Sequence, residues 1–183
     1  MTIIRETLDL LNEDKSQKRI ELVKIPYGMT GLQPVMSKAT MDLHYGRLYK
    51  GYVTRFNDRS GDTVFNEAGA YLHELFFAQF KAPSGSNRPS GRILDLILEH
   101  WDNVVEFKKA LRVDSQRFTG SGWIYLAKNG KLRTIQLHQK RNDIVLLIDL
   151  WEHAYQLQYG GNKEKYVDSL WRIYNWPLIT ARM

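Results

Sequence analysis

The chain has 183 residues, enough for one compact domain or for two small lobes sharing a core. Hydrophobic residues at 43% exclude disorder, and the absence of cysteine excludes disulfides, thiolate zinc sites, iron–sulfur clusters and cysteine nucleophiles. The formal charge of +6 suits an anionic partner, but basic residues occur in singles and pairs such as Lys140-Arg141, so nucleic-acid binding is not expected.

Ile4, Leu8 and Leu11 have helical spacing, so residues 1–22 read as an N-terminal extension that is helical over 2–12. Arg5, Glu6 and Asp9 interrupt any apolar stretch there, and no secretion signal is expected. No run approaches the roughly 18 apolar residues of a membrane span. A soluble, cytoplasmic protein is the expectation, and the lack of cysteine fits a reducing compartment.

Pro26, Gly28, Gly31 and Pro34 mark a loop, after which Ser37 caps a helix predicted to run to Asn57. Met41, His44, Leu48, Tyr52 and Phe56 share one face of it. A break at 58–62 leads to a second helix to Phe80, with Phe65, Gly69, Leu72, His73, Phe76 and Phe80 on one side. The short connection predicts an antiparallel α-hairpin over 23–82.

The stretch from Pro83 to Pro89 is the best internal boundary, and a C-terminal α/β domain is expected over 90–183. Helices are predicted over 90–100 and 103–117, then strands over 123–128 and 131–137 flanking Asn129-Gly130, a type I′ hairpin signal. Residues 144–148 form an unbroken apolar run of strand length, and a last helix is predicted from Lys163 to Tyr174. The fold class is therefore α+β: an N-terminal antiparallel α-hairpin followed by an α/β lobe with a three-stranded antiparallel sheet.

Without thiols, a metal must be held by imidazole and carboxylate. In Asp149-Leu150-Trp151-Glu152-His153-Ala154-Tyr155, a carboxylate stands four residues before an imidazole, directly after the apolar run. This heptad resembles the signature of the iron/manganese superoxide dismutase family. Ser121-Gly122-Trp123, Asn175-Trp176, His44, Tyr52 and Val53 match the same family, and the resemblance spans about residues 21 to 180.

The resemblance implies that His44, His73, Asp149 and His153 ligate one manganese or iron ion per subunit, stitching the two lobes together. It implies disproportionation of superoxide to oxygen and hydrogen peroxide, with Tyr52 gating the substrate funnel and belonging to the proton network. Gly69, one turn before His73, stands where iron-type members carry glutamine, so manganese is favoured. The matching glutamine from the hairpin end is Gln139, reached with a one-residue gap, or its rival His138. Glu152 corresponds to the residue that reaches the partner's metal-ligating histidine, so a homodimer is expected.

The chain departs from the family pattern at Leu48 and Gln156, where both halves of a cross-dimer bridge are missing, and at Leu72 and Phe77 around the second ligand. With the trimmed hairpin and the first twenty residues, these motivate a second reading: a superoxide-dismutase-like structural or interaction module with weak or no activity. Singly, His44 and His73 read as packed core residues. Tyr45 and Tyr49 read as packing residues, His100 as solvated, and Arg172 as either near the funnel or in a surface ion pair.

Overall fold

The computed structural model describes residues 19–183; the helix predicted over 2–12 lies outside them. Residues 19–22, the described part of the predicted extension, form no helix. Side chains of the hairpin hold the segment instead. Asn57 accepts the Ile20 N–H at 2.9 Å and donates to its carbonyl at 2.8 Å. Tyr49 accepts the Val23 N–H, and Tyr45 donates to the Val23 carbonyl.

The first long helix is composite: α1 (Lys38–Leu43), a π-helical turn (His44–Tyr49) and α2 (Lys50–Asn57) run end to end. Ser37 caps it, its hydroxyl accepting the Thr40 N–H. The π turn accommodates one more residue than an α-helix would. Within it the buried position after His44 is Tyr49, fully buried, while Leu48 is only partly covered; this corrects the predicted face at that one position, and Met41, His44, Tyr52 and Phe56 are buried as expected. Asp62 caps α3 (Thr63–Ala78), and α2 packs on α3 as the expected hairpin.

The second lobe begins with α4 (Arg92–His100) and α5 (Val104–Arg117), followed by β1 (Gly122–Ala127), β2 (Leu132–Gln136) and β3 (Ile144–Asp149). The sheet is antiparallel in the order β2-β1-β3. Every residue of β1 and β3 is buried, which is why both read as continuous apolar runs; β2, at the edge, buries only Ile135. The hairpin is not type I′. Gly130 N–H bonds to the Ala127 carbonyl and Ala127 N–H to the Lys131 carbonyl, and only Gly130 in the loop has positive φ. The loop is a three-residue turn with a glycine bulge, so Asn129 needs no left-handed backbone.

After β3 come α6 (Glu152–Tyr159), α7 (Lys163–Leu170) and α8 (Trp176–Thr180). The last predicted helix stops at Leu170 because the chain is claimed by the first lobe: Tyr174 bridges Phe80, and the Ile173 carbonyl accepts the Lys81 N–H at 2.7 Å. Gln79 makes the second tie. Fully buried at the end of α3, it donates to the Leu147 carbonyl at 2.6 Å and accepts the Leu147 N–H at 3.1 Å. One side chain thus satisfies the free edge of β3 and fixes α3 against the strand that ends in Asp149. A single hydrophobic cluster runs through both lobes.

Candidate metal centre

Four elements converge at the seam between the lobes. The π turn carries His44 at its start, α3 carries His73, β3 delivers Asp149 at its last residue, and the first turn of α6 presents His153. One ligand atom from each lies within 4.8 Å of all the others. Asp149 Oδ2 is 3.0 Å from His44 Nε2, 3.3 Å from His153 Nε2 and 3.7 Å from His73 Nε2. These four facing atoms are buried, and none has a hydrogen-bond partner. An arrangement of orphaned polar atoms is costly to bury unless a cation sits among them. The residues therefore fit a metal ion, and the mixed set of imidazole nitrogen and carboxylate oxygen suits manganese or iron.

The surroundings set the form of each group. His73 Nδ1 is 2.7 Å from the Gly69 carbonyl, which only accepts, so Nδ1 carries the proton and Nε2 turns a lone pair to the centre. Burial pushes the His44 imidazole down to about 4 and His73 well below its usual range, leaving both neutral at pH 7. Burial alone would raise the Asp149 carboxyl, but the neighbouring His153 and His44 outweigh it and hold the group below the ordinary carboxylate range. Its other oxygen, Oδ1, accepts the Trp151 N–H at 2.8 Å, which fixes the direction of Oδ2. Neutral imidazoles and a charged carboxylate are the states metal binding requires.

Aromatic rings wall the centre. Phe76 and Phe77 lie 5.3 and 4.9 Å from the His44 ring, and Trp123 lies 5.0 Å from His73. Tyr52 packs on His73 at 5.2 Å and on His138 at 4.9 Å. Of the four converging residues, His153 alone reaches solvent, at 14% side-chain exposure, in a cleft of about 350 Å³ shared with Glu152 and Lys163.

The structure brings His138, not Gln139, to this centre. Gln139 is exposed and accepts from Arg141, whereas His138 is buried. Leu137 takes a left-handed φ of 53°, which breaks the strand alternation and turns the next side chain inward. Trp123 Nε1–H donates to His138 Nδ1 at 3.1 Å, so the neutral ring carries its proton on Nε2, and that N–H is buried without a partner. Burial lowers this imidazole to about 4, keeping it neutral. Gly69 makes the space: a Cβ there would stand 2.9 Å from Tyr52 Cδ1 and 3.1 Å from His138 Cδ2. The role of Trp123 in setting this tautomer is invisible in sequence, because it depends on the sheet register that places residue 123 beside residue 138. Glu152 is exposed at the start of α6, Gln156 is exposed on the same helix, and Arg172 lies in a different cleft with no ion pair among the described residues.

An α-hairpin joined to an α/β lobe, with three imidazoles and one carboxylate converging at the seam, defines a metal-binding protein of one class. Residues 19–63 match the model of the iron/manganese superoxide dismutase alpha-hairpin domain, and residues 89–182 match that family's C-terminal domain. The chain is 33% identical over 190 residues to a protein named superoxide dismutase (Fe) from Bacteroides fragilis, covering 89% of this chain and 98% of that protein. It is 31% identical over 188 residues to superoxide dismutase (Mn/Fe) from Porphyromonas gingivalis, covering 88% and 98%. It is 30% identical over 180 residues to superoxide dismutase (Fe) from Bordetella pertussis, covering 85% and 94%. The chain belongs to the iron/manganese superoxide dismutase family.

Proposed function

We propose that this protein is a metal-dependent superoxide dismutase whose single manganese or iron ion is held by His44, His73, Asp149 and His153. The observation that carries the ligand assignment is the meeting of four buried, partnerless donor atoms at one point between the lobes. A redox-active ion held there would supply one-electron chemistry, one superoxide giving up an electron to leave as dioxygen and a second taking that electron with two protons to leave as hydrogen peroxide.

The chain's own residues do the rest. Net charge of +6 favours approach of the anion. The cleft beside His153 admits small molecules, while Phe76, Phe77 and Trp123 keep bulk water from the other sides. His138 Nε2–H and the Tyr52 hydroxyl are the hydrogen-bonding groups beside the centre, and burial raises the Tyr52 phenol, keeping its proton available.

Manganese is the favoured ion. The Gly69 gap is closed by Tyr52 and His138, leaving no volume for the glutamine that iron-type members carry at that position. The working form is a homodimer, with Glu152 reaching the partner's His153; the exposure of Glu152 at the start of α6 supports this. The functional units are an α-hairpin over 23–82 and an α/β domain over 90–183, in a cytoplasmic protein. Among the described residues, no helix is long and apolar enough to cross a membrane.

The test is direct. Protein produced under defined manganese or iron supply is assayed for metal content and for superoxide decay by pulse radiolysis. His73→Ala is expected to lose the metal and the activity together. Full activity in chelator-stripped protein would refute the proposal.

A further inference from the structure

On the far end of α6 from His153 lies a cleft of about 230 Å³ whose lining contains no carboxylate. Its charge comes from the way α7 is turned. The acidic residues Glu164 and Asp168 face α5, where Glu164 accepts from Gln116 at 3.0 Å and Asp168 pairs with Arg112 at 3.1 Å. One position further on than these, Lys165 and Ser169 line the cleft, joined by Arg172 from just beyond the end of α7. Both cations are exposed, and neither has an ion pair among the described residues.

The opposite wall is rigid before anything binds. Gln158 accepts the Ser37 N–H at 2.6 Å and donates to the Pro34 carbonyl. Tyr159 bonds the Val35 carbonyl at 2.7 Å and lies 2.6 Å from Ser169 Oγ, which itself donates to the Tyr166 carbonyl. The hydroxyls are consumed in these bonds, so the donors left for a ligand are the Lys165 ammonium and the Arg172 guanidinium.

We propose that this cleft binds a phosphate group, as free phosphate or as a small phosphate monoester. A guanidinium fork beside an ammonium matches the oxygens of a tetrahedral dianion. The volume holds on the order of seven water-sized groups at about 30 Å³ each, enough for a phosphate and a short substituent. This site is independent of the metal centre and does not rest on the dismutase reading.

The metal-loaded protein is melted in inorganic phosphate, in glycerol 3-phosphate and in sodium chloride of matched ionic strength. At about tenfold over a millimolar dissociation constant, phosphate is expected to raise Tm by about 4 °C, and chloride is not. A larger rise with glycerol 3-phosphate identifies a monoester ligand; equal rises identify the phosphate group alone. The double variant Lys165→Ala/Arg172→Ala, altered at two exposed positions, is expected to lose the rise while keeping its superoxide decay rate. An equal rise in chloride, an unchanged rise in the double variant, or no rise in the parent protein overturns the proposal.

Discussion

Replacing Asp149 with asparagine separates metal binding from folding. The substitution keeps the oxygen that accepts the Trp151 N–H at 2.8 Å and removes the charge that faces His44, His153 and His73 at 3.0, 3.3 and 3.7 Å. In metal-free protein the new amide donates to one of these imidazole nitrogens, so stability should change by about 1 kcal/mol, the worth of one hydrogen bond. An unfolding entropy of about 2.1 cal/mol/K per residue over 183 residues gives ~0.38 kcal/mol/K, so the metal-free Tm should move by ~3 °C at most. Metal at about a thousandfold over its dissociation constant adds ~4.1 kcal/mol to the parent protein, a Tm rise of ~11 °C. Asp149→Asn should abolish that rise. The assay is calorimetric melting of chelator-stripped protein with and without free Mn(II) at about a thousandfold over its dissociation constant, alongside elemental analysis. A full rise with stoichiometric metal in the variant would remove Asp149 from the ligand set. A collapse of the metal-free variant would show that the carboxylate serves folding instead.

Two further substitutions probe the supports of the centre. Gln79→Leu leaves the buried Leu147 N–H and carbonyl without partners, and at about 1–3 kcal/mol for each unmet group it should lower the stability measured in urea by about 2–6 kcal/mol; a loss under about 1 kcal/mol would mean that Gln79 does not hold β3. Gly69→Ala drives a methyl against Tyr52 and His138, so it should cost about 1–3 kcal/mol and change the optical spectrum of the metal-loaded protein; an unaltered spectrum with parental stability would show that the gap is not needed.

Much of this architecture was readable from pattern. Apolar periodicity located the hairpin helices, the Asn129-Gly130 turn signal located β1 and β2, and an unbroken apolar run located β3, because a strand buried on both faces has no alternation to display. The converging residues came from the resemblance, and the structure brings all four together. What stayed hidden depends on tertiary neighbours. The choice between Gln139 and His138 turned on one left-handed residue, Leu137, which no propensity would place there. The helix predicted to Tyr174 ended at Leu170 because pairing with Phe80 and Lys81 outweighed helix continuation. α6 went unread as a helix because its residues carried a ligand signature. Gln79 gave no signal, since its two bonds cross 68 residues of sequence.

The π turn has a consequence for the orientation of Tyr52. In a regular α-helix each residue rotates by about 100°, so Tyr52 would project roughly 80° away from the direction of His44. Absorbing one extra residue between His44 and Tyr49 reduces that offset to about 20°, and the phenol instead lies 5.2 Å from the His73 ring. Tightening this turn to α geometry, with the sequence unchanged, would swing the tyrosine off the histidine. The pitch of one helical turn and the aim of one side chain are therefore a single mechanical variable.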